Sequence, residues 1–146
     1  MDNHLLKTYR KNFIRCGMSG LLLEIIFTGL IAAKRRESGG GLKGSTSIIM
    51  FPIYGSACVL APISKHLRSH SLLTRGIIYT AGIFTVEYLS GSYLKAHHKC
   101  PWDYSRSRYN INGVIRIDYA PYWFMTGLLF ERMIKGQQDV SLSKKS

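Results

Sequence analysis

Acidic residues are scarce in this chain: eight Asp and Glu stand against 20 Lys and Arg in 146 residues, for a formal net charge of +12. Such an excess suits anionic partners. Cysteine is scarcer still. Cys16, Cys58 and Cys100 leave at least one thiol unpaired and form no Cys-x-x-Cys, so neither a disulfide framework nor a dithiol redox motif is expected. Converging metal ligands are lacking too. His97-His98-Lys99-Cys100 has donor atoms, but zinc takes three or four converging ligands, and no metal site is expected. The glycines around Ser38-Gly39-Gly40-Gly41 do not build a phosphate loop, and Lys43-Gly44-Ser45-Thr46 fails the required spacing. They are expected to form a plain, flexible connector, and no cofactor is expected. No nucleic-acid motif accompanies the positive charge. The basic residues sit in short loops and tails beside apolar blocks, where phospholipid headgroups would lie, so anionic lipid is expected as a partner and nucleic acid is not.

What the chain does have is four apolar blocks, within a hydrophobic content of 46%. They cover about 13–33, 46–63, 72–94 and 114–134, each near the roughly 20 residues that carry a helix across a bilayer. The expected fold class is all-α: an integral membrane protein with four transmembrane helices. A soluble helical bundle with apolar core helices is the alternative. The expected layout is a basic lead over 1–12, a membrane domain over 13–135 with a polar loop at 95–113, and a polar, disordered tail over 136–146. The basic lead is long for a secretory leader and the first block exceeds a leader's apolar region, so an uncleaved first span is expected. Four spans place both termini on one side. The basic residues divide almost evenly between the sides, with a small excess favouring cytoplasmic termini.

Charges inside the blocks mark candidate sites. Gly17, Gly20, Glu24 and Thr28 share one face of the first helix by their spacing. Thr80, Phe84, Glu87 and Gly91 do so in the third. Glycine lets a neighbouring helix approach, and an ionisable group in a span normally faces a partner or a wet cavity. Glu24 and Glu87 are therefore expected to face each other or a shared polar cavity, with Lys95 the nearer candidate cation for Glu87 along the chain. Pro52 is expected to kink the second block. Glu131 and Arg132, at the far end of the last block, are expected to snorkel to the interface.

The densest polar stretch precedes the last block: Cys100-Pro101-Trp102-Asp103-Tyr104-Ser105, then Asn110, Asn112-Gly113, Arg116 and Asp118. So many hydrogen-bonding groups beside a span must be satisfied by protein or water. The loop is expected to fold back on the bundle with Trp102, Ser105 and Gly113 as structural residues. Asp103, Tyr104, Asn110, Asn112, Arg116 and Asp118 are candidate substrate or ion contacts. Asp103 is expected to draw its hydrogen bonds from Asn110, Asn112 and Arg116.

These motifs, in this order, resemble the transmembrane protein 229 family, which is related to bacterial type IV ABC-transporter permease-like membrane proteins. The resemblance covers about 13–131. It rests on Glu24-Ile25-Ile26-Phe27-Thr28, Pro52-Ile53-Tyr54-Gly55, Glu87-Tyr88-Leu89-Ser90-Gly91, the Cys100–Ser105 run, and Asp118-Tyr119-Ala120 with Trp123-Phe124. The bacterial relatives carry Gly-Trp before the first glutamate, where this chain has Gly20-Leu21-Leu22-Leu23-Glu24. The resemblance implies a small four-span helical protein and a permease-like role, without a defined activity. Four short spans are few for a solute pathway, so a permease-like role implies a homo-oligomer or partner subunits. A membrane enzyme acting on a lipid or lipid-soluble substrate, with the carboxylates as acid and base, is one alternative. A non-catalytic scaffold or assembly factor is the other.

Overall fold

Helices follow the apolar runs, and each break has a local cause. The computed structural model describes residues 3–34 and 43–143, with side chains over 5–34 and 43–135. The chain is mostly helical, and its described strands form one two-stranded hairpin. Helix α1 spans Asn3–Lys34. It takes in most of the stretch expected to be a separate polar lead, because residues 3–12 hold neither proline nor glycine and continue the helix with Leu5 and Leu6. Lys34 in its last turn meets the negative end of the helix dipole. The expected flexible glycine connector lies mostly over 35–42, outside the described residues.

The second block is not one helix. It comprises α2 (Met50–Gly55), a 3₁₀ turn (Ser56–Val59), α3 (Leu60–His66) and a second 3₁₀ turn (Leu67–Ser69). The break expected at Pro52 falls later. Pro52 lies in the first turn of α2, where amide protons have no intrahelical acceptor and proline is tolerated. Pro62 is the disruptive residue. It has no N–H to give the carbonyl of Cys58, four residues back, and its ring crowds that carbonyl. The ladder gives way at Ser56–Val59, and there the chain divides into two compact units, Met1–Cys58 and Val59–Ser146.

In the first unit, small residues on α1 admit aromatic rings from α2. A Cβ built on Gly17 would lie 2.7 Å from the Phe51 ring, and one on Gly20 would lie 2.1 Å from Tyr54 Cγ. Gly55 in turn admits Phe13, whose ring meets Phe51 edge-on at 5.7 Å. The chain returns across α1 at Thr28, whose hydroxyl accepts from Ser45 N–H at 2.8 Å.

In the second unit, α4 (Leu72–Ala96) starts at Ser71, whose hydroxyl accepts from Thr74 N–H at 3.2 Å. Such a cap satisfies one of the helix's orphan donors. Helix α5 (Ala120–Ser143) packs on both α3 and α4. Arg75 meets Glu131, whereas Gly91 meets Val114, so α4 and the chain through α5 run in opposite directions. The fourth block does not begin as a span. Residues 114–119 form the second hairpin strand, β2 (Ile115–Arg116), and a 3₁₀ turn (Ile117–Tyr119). Helix begins only at Ala120, with Pro121 in its first turn. The tail expected to be disordered continues α5 as far as Ser143, and 144–146 lie outside the described residues.

Bulky apolar side chains point outward on the long helices: Met18, Leu22 and Leu30 on α1, Leu73, Ile77 and Leu89 on α4, and Met125 on α5. Apolar side chains exposed along a helix suit a surface that meets lipid or protein. Among the described residues, one helix, Leu5–Lys34, is long and apolar enough to cross a membrane.

Candidate functional site

The polar loop is an ordered cap on α4. Its centre is a hairpin pairing β1 (Asn110–Ile111) with β2 in antiparallel register, Asn110 opposite Arg116 and Ile111 opposite Ile115. Val114 N–H donates to Ile111 O at 3.0 Å and closes the turn. The turn's central residues, Asn112 and Gly113, have φ of 52° and 70°. Two consecutive positive φ values match the primed turns that suit hairpin twist, and Asn-Gly is their favoured sequence. Glycine is needed for space as well: a Cβ at Gly113 would lie 2.3 Å from Ser105 Oγ and 2.6 Å from Lys95 Nζ.

The cap is held to α4 from several directions. Trp102 Nε1 donates to Val114 O at 2.9 Å, and its ring lies over Gly91, where a Cβ would stand 3.0 Å away. Asn112 Nδ2 donates to the Tyr88 hydroxyl at 2.8 Å. Lys95 Nζ donates to Asn112 O at 3.0 Å and to Ser105 Oγ at 3.3 Å. Lys95, expected from the sequence as the nearer cation for Glu87, gives these two bonds to the hairpin.

Asp103 also differs from expectation. Its side chain is 67% exposed, so it is not enclosed by the flanking aromatics. Its hydrogen bonds come from Ser105, by the hydroxyl at 2.6 Å and the backbone N–H at 3.0 Å. A short polar side chain readily bonds the backbone two residues on, which competes successfully with more distant donors. These bonds, with Lys95 3.8 Å away, hold the Asp103 carboxyl below the usual aspartate range. The three donors expected for Asp103 are used elsewhere. Asn110 Nδ2 donates to Ser107 O at 2.5 Å while its Oδ1 accepts from Gly113 N–H at 2.8 Å, and Asn112 Nδ2 donates to the Tyr88 hydroxyl. Arg116 forms a two-pronged pair with Asp118, Nε to Oδ1 at 3.0 Å, and donates to the Tyr119 hydroxyl at 3.0 Å. The guanidinium stacks 4.2 Å from the Tyr119 ring centre, and Tyr104 meets that ring edge-on at 5.7 Å. Asp103, Tyr104, Ser105, Asn110, Asn112, Arg116 and Asp118 are thus gathered in one region, and their polar groups are largely spent on one another.

Glu24 belongs to the first unit. It lies one turn beyond Gly20, and the Tyr54 side chain hydrogen-bonds its carboxyl. Its Oε2 is buried and has no hydrogen-bond partner among the described residues. Gly20 makes this arrangement possible, since the Tyr54 ring fills the space a larger residue would take. Glu87 belongs to the second unit and is 8% exposed on α4, one turn before Gly91 and the cap.

One cluster was not expected. Glu131, read from sequence as an interfacial residue, is 2% exposed. Arg75 Nε approaches its Oε2 at 3.5 Å, and Lys135, one turn along α5, pairs with its Oε1. Tyr79 lies beside the same carboxylate. Glu131 with Lys135 at i+4 is a recognisable helical pair in the sequence. Arg75 and Tyr79 are likewise four residues apart on α4. Nothing local in the sequence says that these two faces meet. Among the described residues, no group of three or more His, Cys, Asp or Glu converges as metal ligands would.

Apolar side chains face outward on α1, α4 and α5, and the polar stretch before α5 folds into a hairpin cap on α4. A family model described as "Putative ABC-transporter type IV" matches residues 11–144, and the chain belongs to that family. No solved structure matches the chain.

Proposed function

We propose that this protein is a permease-like subunit of a membrane transport system, of the transmembrane protein 229 type, with Glu24 and Tyr54 as its intramembrane carboxylate site. The supporting observation is the partly buried Glu24 carboxyl, bonded to Tyr54 through one oxygen with the other buried and unsatisfied. Such a group is costly in an apolar segment and is normally retained to bind a proton or cation. In this reading the chain crosses the bilayer four times with cytoplasmic termini, the broken α2–α3 segment serving as the second crossing. Anionic lipid surrounds it. A protein with so few spans works as a homo-oligomer or with partner subunits. The capped loop favours one second reading, a scaffold, because its polar groups are already consumed internally.

The test is ion flux into proteoliposomes carrying the purified protein and an internal pH dye, under an imposed potential. Wild-type protein is expected to pass protons or a monovalent cation. Glu24→Gln, which keeps shape and loses charge, is expected to reduce flux at least tenfold, with Tyr54→Phe intermediate. Equal flux in wild type and Glu24→Gln, or none above empty vesicles, would overturn the transport reading.

A further inference from the structure

We propose that Arg75 and Lys135 form a binding site for a phosphate-bearing anion, with Glu131 as the buried counter-charge that holds both cations in place. The site lies in the second unit, at the end of α4 and α5 remote from the hairpin, and does not depend on Glu24.

The charge balance points to a ligand. A buried carboxylate is neutralised by one cation. Glu131 has two, Arg75 at 3.5 Å and Lys135 in direct contact, so one positive charge is left over. Residues 60–79 contain no acidic side chain and carry Lys65 and Arg68 in addition to Arg75. Lys65 lies on α3, which packs on α5.

The hydrogen-bond donors point the same way. The Lys135 ammonium gives one of its three N–H groups to Glu131, which leaves two for a ligand. The Arg75 side chain is only 21% exposed, yet it makes no hydrogen bond among the described residues, and its Nε is buried. Unfilled donors on a half-enclosed guanidinium carry a free-energy cost that a ligand would relieve. Tyr79, 1% exposed, turns its hydroxyl to Glu131 and helps enclose the carboxylate that holds the two cations. A planar guanidinium backed by an ammonium matches the tetrahedral oxygens of a phosphate, which it engages in paired hydrogen bonds. That phosphate could belong to an anionic lipid headgroup or to a free phosphomonoester, and the chemistry of recognition is the same.

The experiment is native mass spectrometry of the full chain released from detergent, titrated with phosphatidylglycerol, with phosphatidylcholine and with glycerol 3-phosphate. Wild type is expected to retain phosphatidylglycerol over phosphatidylcholine by about tenfold, the scale of one charge-assisted hydrogen bond. Arg75→Gln and Lys135→Gln are each expected to abolish that preference. Arg75→Lys is expected to keep part of it, and Arg108→Gln and Glu24→Gln all of it. Displacement of the lipid by glycerol 3-phosphate would assign recognition to the phosphate alone. Failure to displace it, with the preference intact, would assign a lipid-bound phosphate. Should Arg75→Gln not elute as a folded species, Lys135→Gln decides. The proposal is overturned if wild type shows no preference, or if folded Lys135→Gln retains it in full.

Discussion

The hairpin cap and helix α1 treat polar groups in opposite ways. Between Trp102 and Tyr119 the chain concentrates carboxylates, amides and hydroxyls, and Asp103, Ser105, Asn110, Asn112, Arg116 and Asp118 are each bonded to a neighbour in the same hairpin or on α4. Helix α1 carries a single acidic residue over its described length, and that carboxyl has a buried oxygen with no partner. Polar density marks a self-sufficient fold in the first case. Polar scarcity leaves an unmet demand in the second, and an unmet demand is what a proton or ligand can answer.

The comparison can be broken at its steric hinges first. Gly113→Val combines a positive φ with a close approach to Ser105 and Lys95. Strain of this kind costs about 1–3 kcal/mol, before the clash is counted. The expected result is a lower Tm in detergent and rapid proteolysis between Cys100 and Gly113, with the Glu24 site intact. Gly20→Val attacks the other region. Its side chain would occupy the position of the Tyr54 ring, and overpacking costs about 1–3 kcal/mol. Here flux is expected to fall as in Tyr54→Phe or further, while the loop keeps its protease resistance. If each variant impaired both readouts equally, the two regions would not be functionally separate.

Smaller changes sharpen the contrast. Trp102→Phe keeps an aromatic ring over Gly91 and removes the Nε1 bond to Val114 O. A loss of about 1 kcal/mol is expected from thermal melts, the ordinary net value of one hydrogen bond. Asp103→Asn is expected to have the least effect, since the side chain is mostly in water. Its sign is nonetheless fixed. The folded-state pKa is lowered by Ser105, so the contribution is present above the unfolded value and is lost as pH falls through the folded one. The hairpin should hold constant from pH 8 down to about 4, near the ordinary aspartate value, and loosen only below it. Trp102 fluorescence in a Trp123→Phe background would follow this. Loosening between pH 5 and 7 would show that another group controls the cap.

Much of this was legible in the sequence, and the illegible parts share a cause. Helical character followed from the apolar runs, and the Asn112-Gly113 turn from the conformational freedom of those two residues. The face shared by Gly17, Gly20 and Glu24 followed from helical spacing. The partners did not. Tyr54 lies 30 positions from Glu24, and Glu131 lies 56 from Arg75, so periodicity within one helix cannot reveal either pair. Asp103 misled for a different reason. Aromatic neighbours in sequence suggested enclosure, but Tyr104 turns toward Tyr119 and Trp102 toward Gly91, leaving the carboxylate in water. Pro62 was as visible as Pro52, but its effect depends on where the helix begins, and that was fixed only by packing.

Helix α4 ends at each side on a cation that is already engaged: Arg75 is paired with Glu131, and Lys95 is bonded to the hairpin. The two residues are 20 positions apart, about 30 Å along a helix and equal to the thickness of an average bilayer's hydrocarbon core. Free lysines and arginines adjust to a thicker or thinner bilayer by bending their stems toward water. Engaged ones cannot do so without breaking their contacts. For a membrane-spanning α4 the two pairings therefore act as a fixed gauge, and a bilayer of different thickness must be met by tilting the helix or deforming the lipid. A protein held in this way would partition among membranes by their thickness, through the spacing of two engaged side chains.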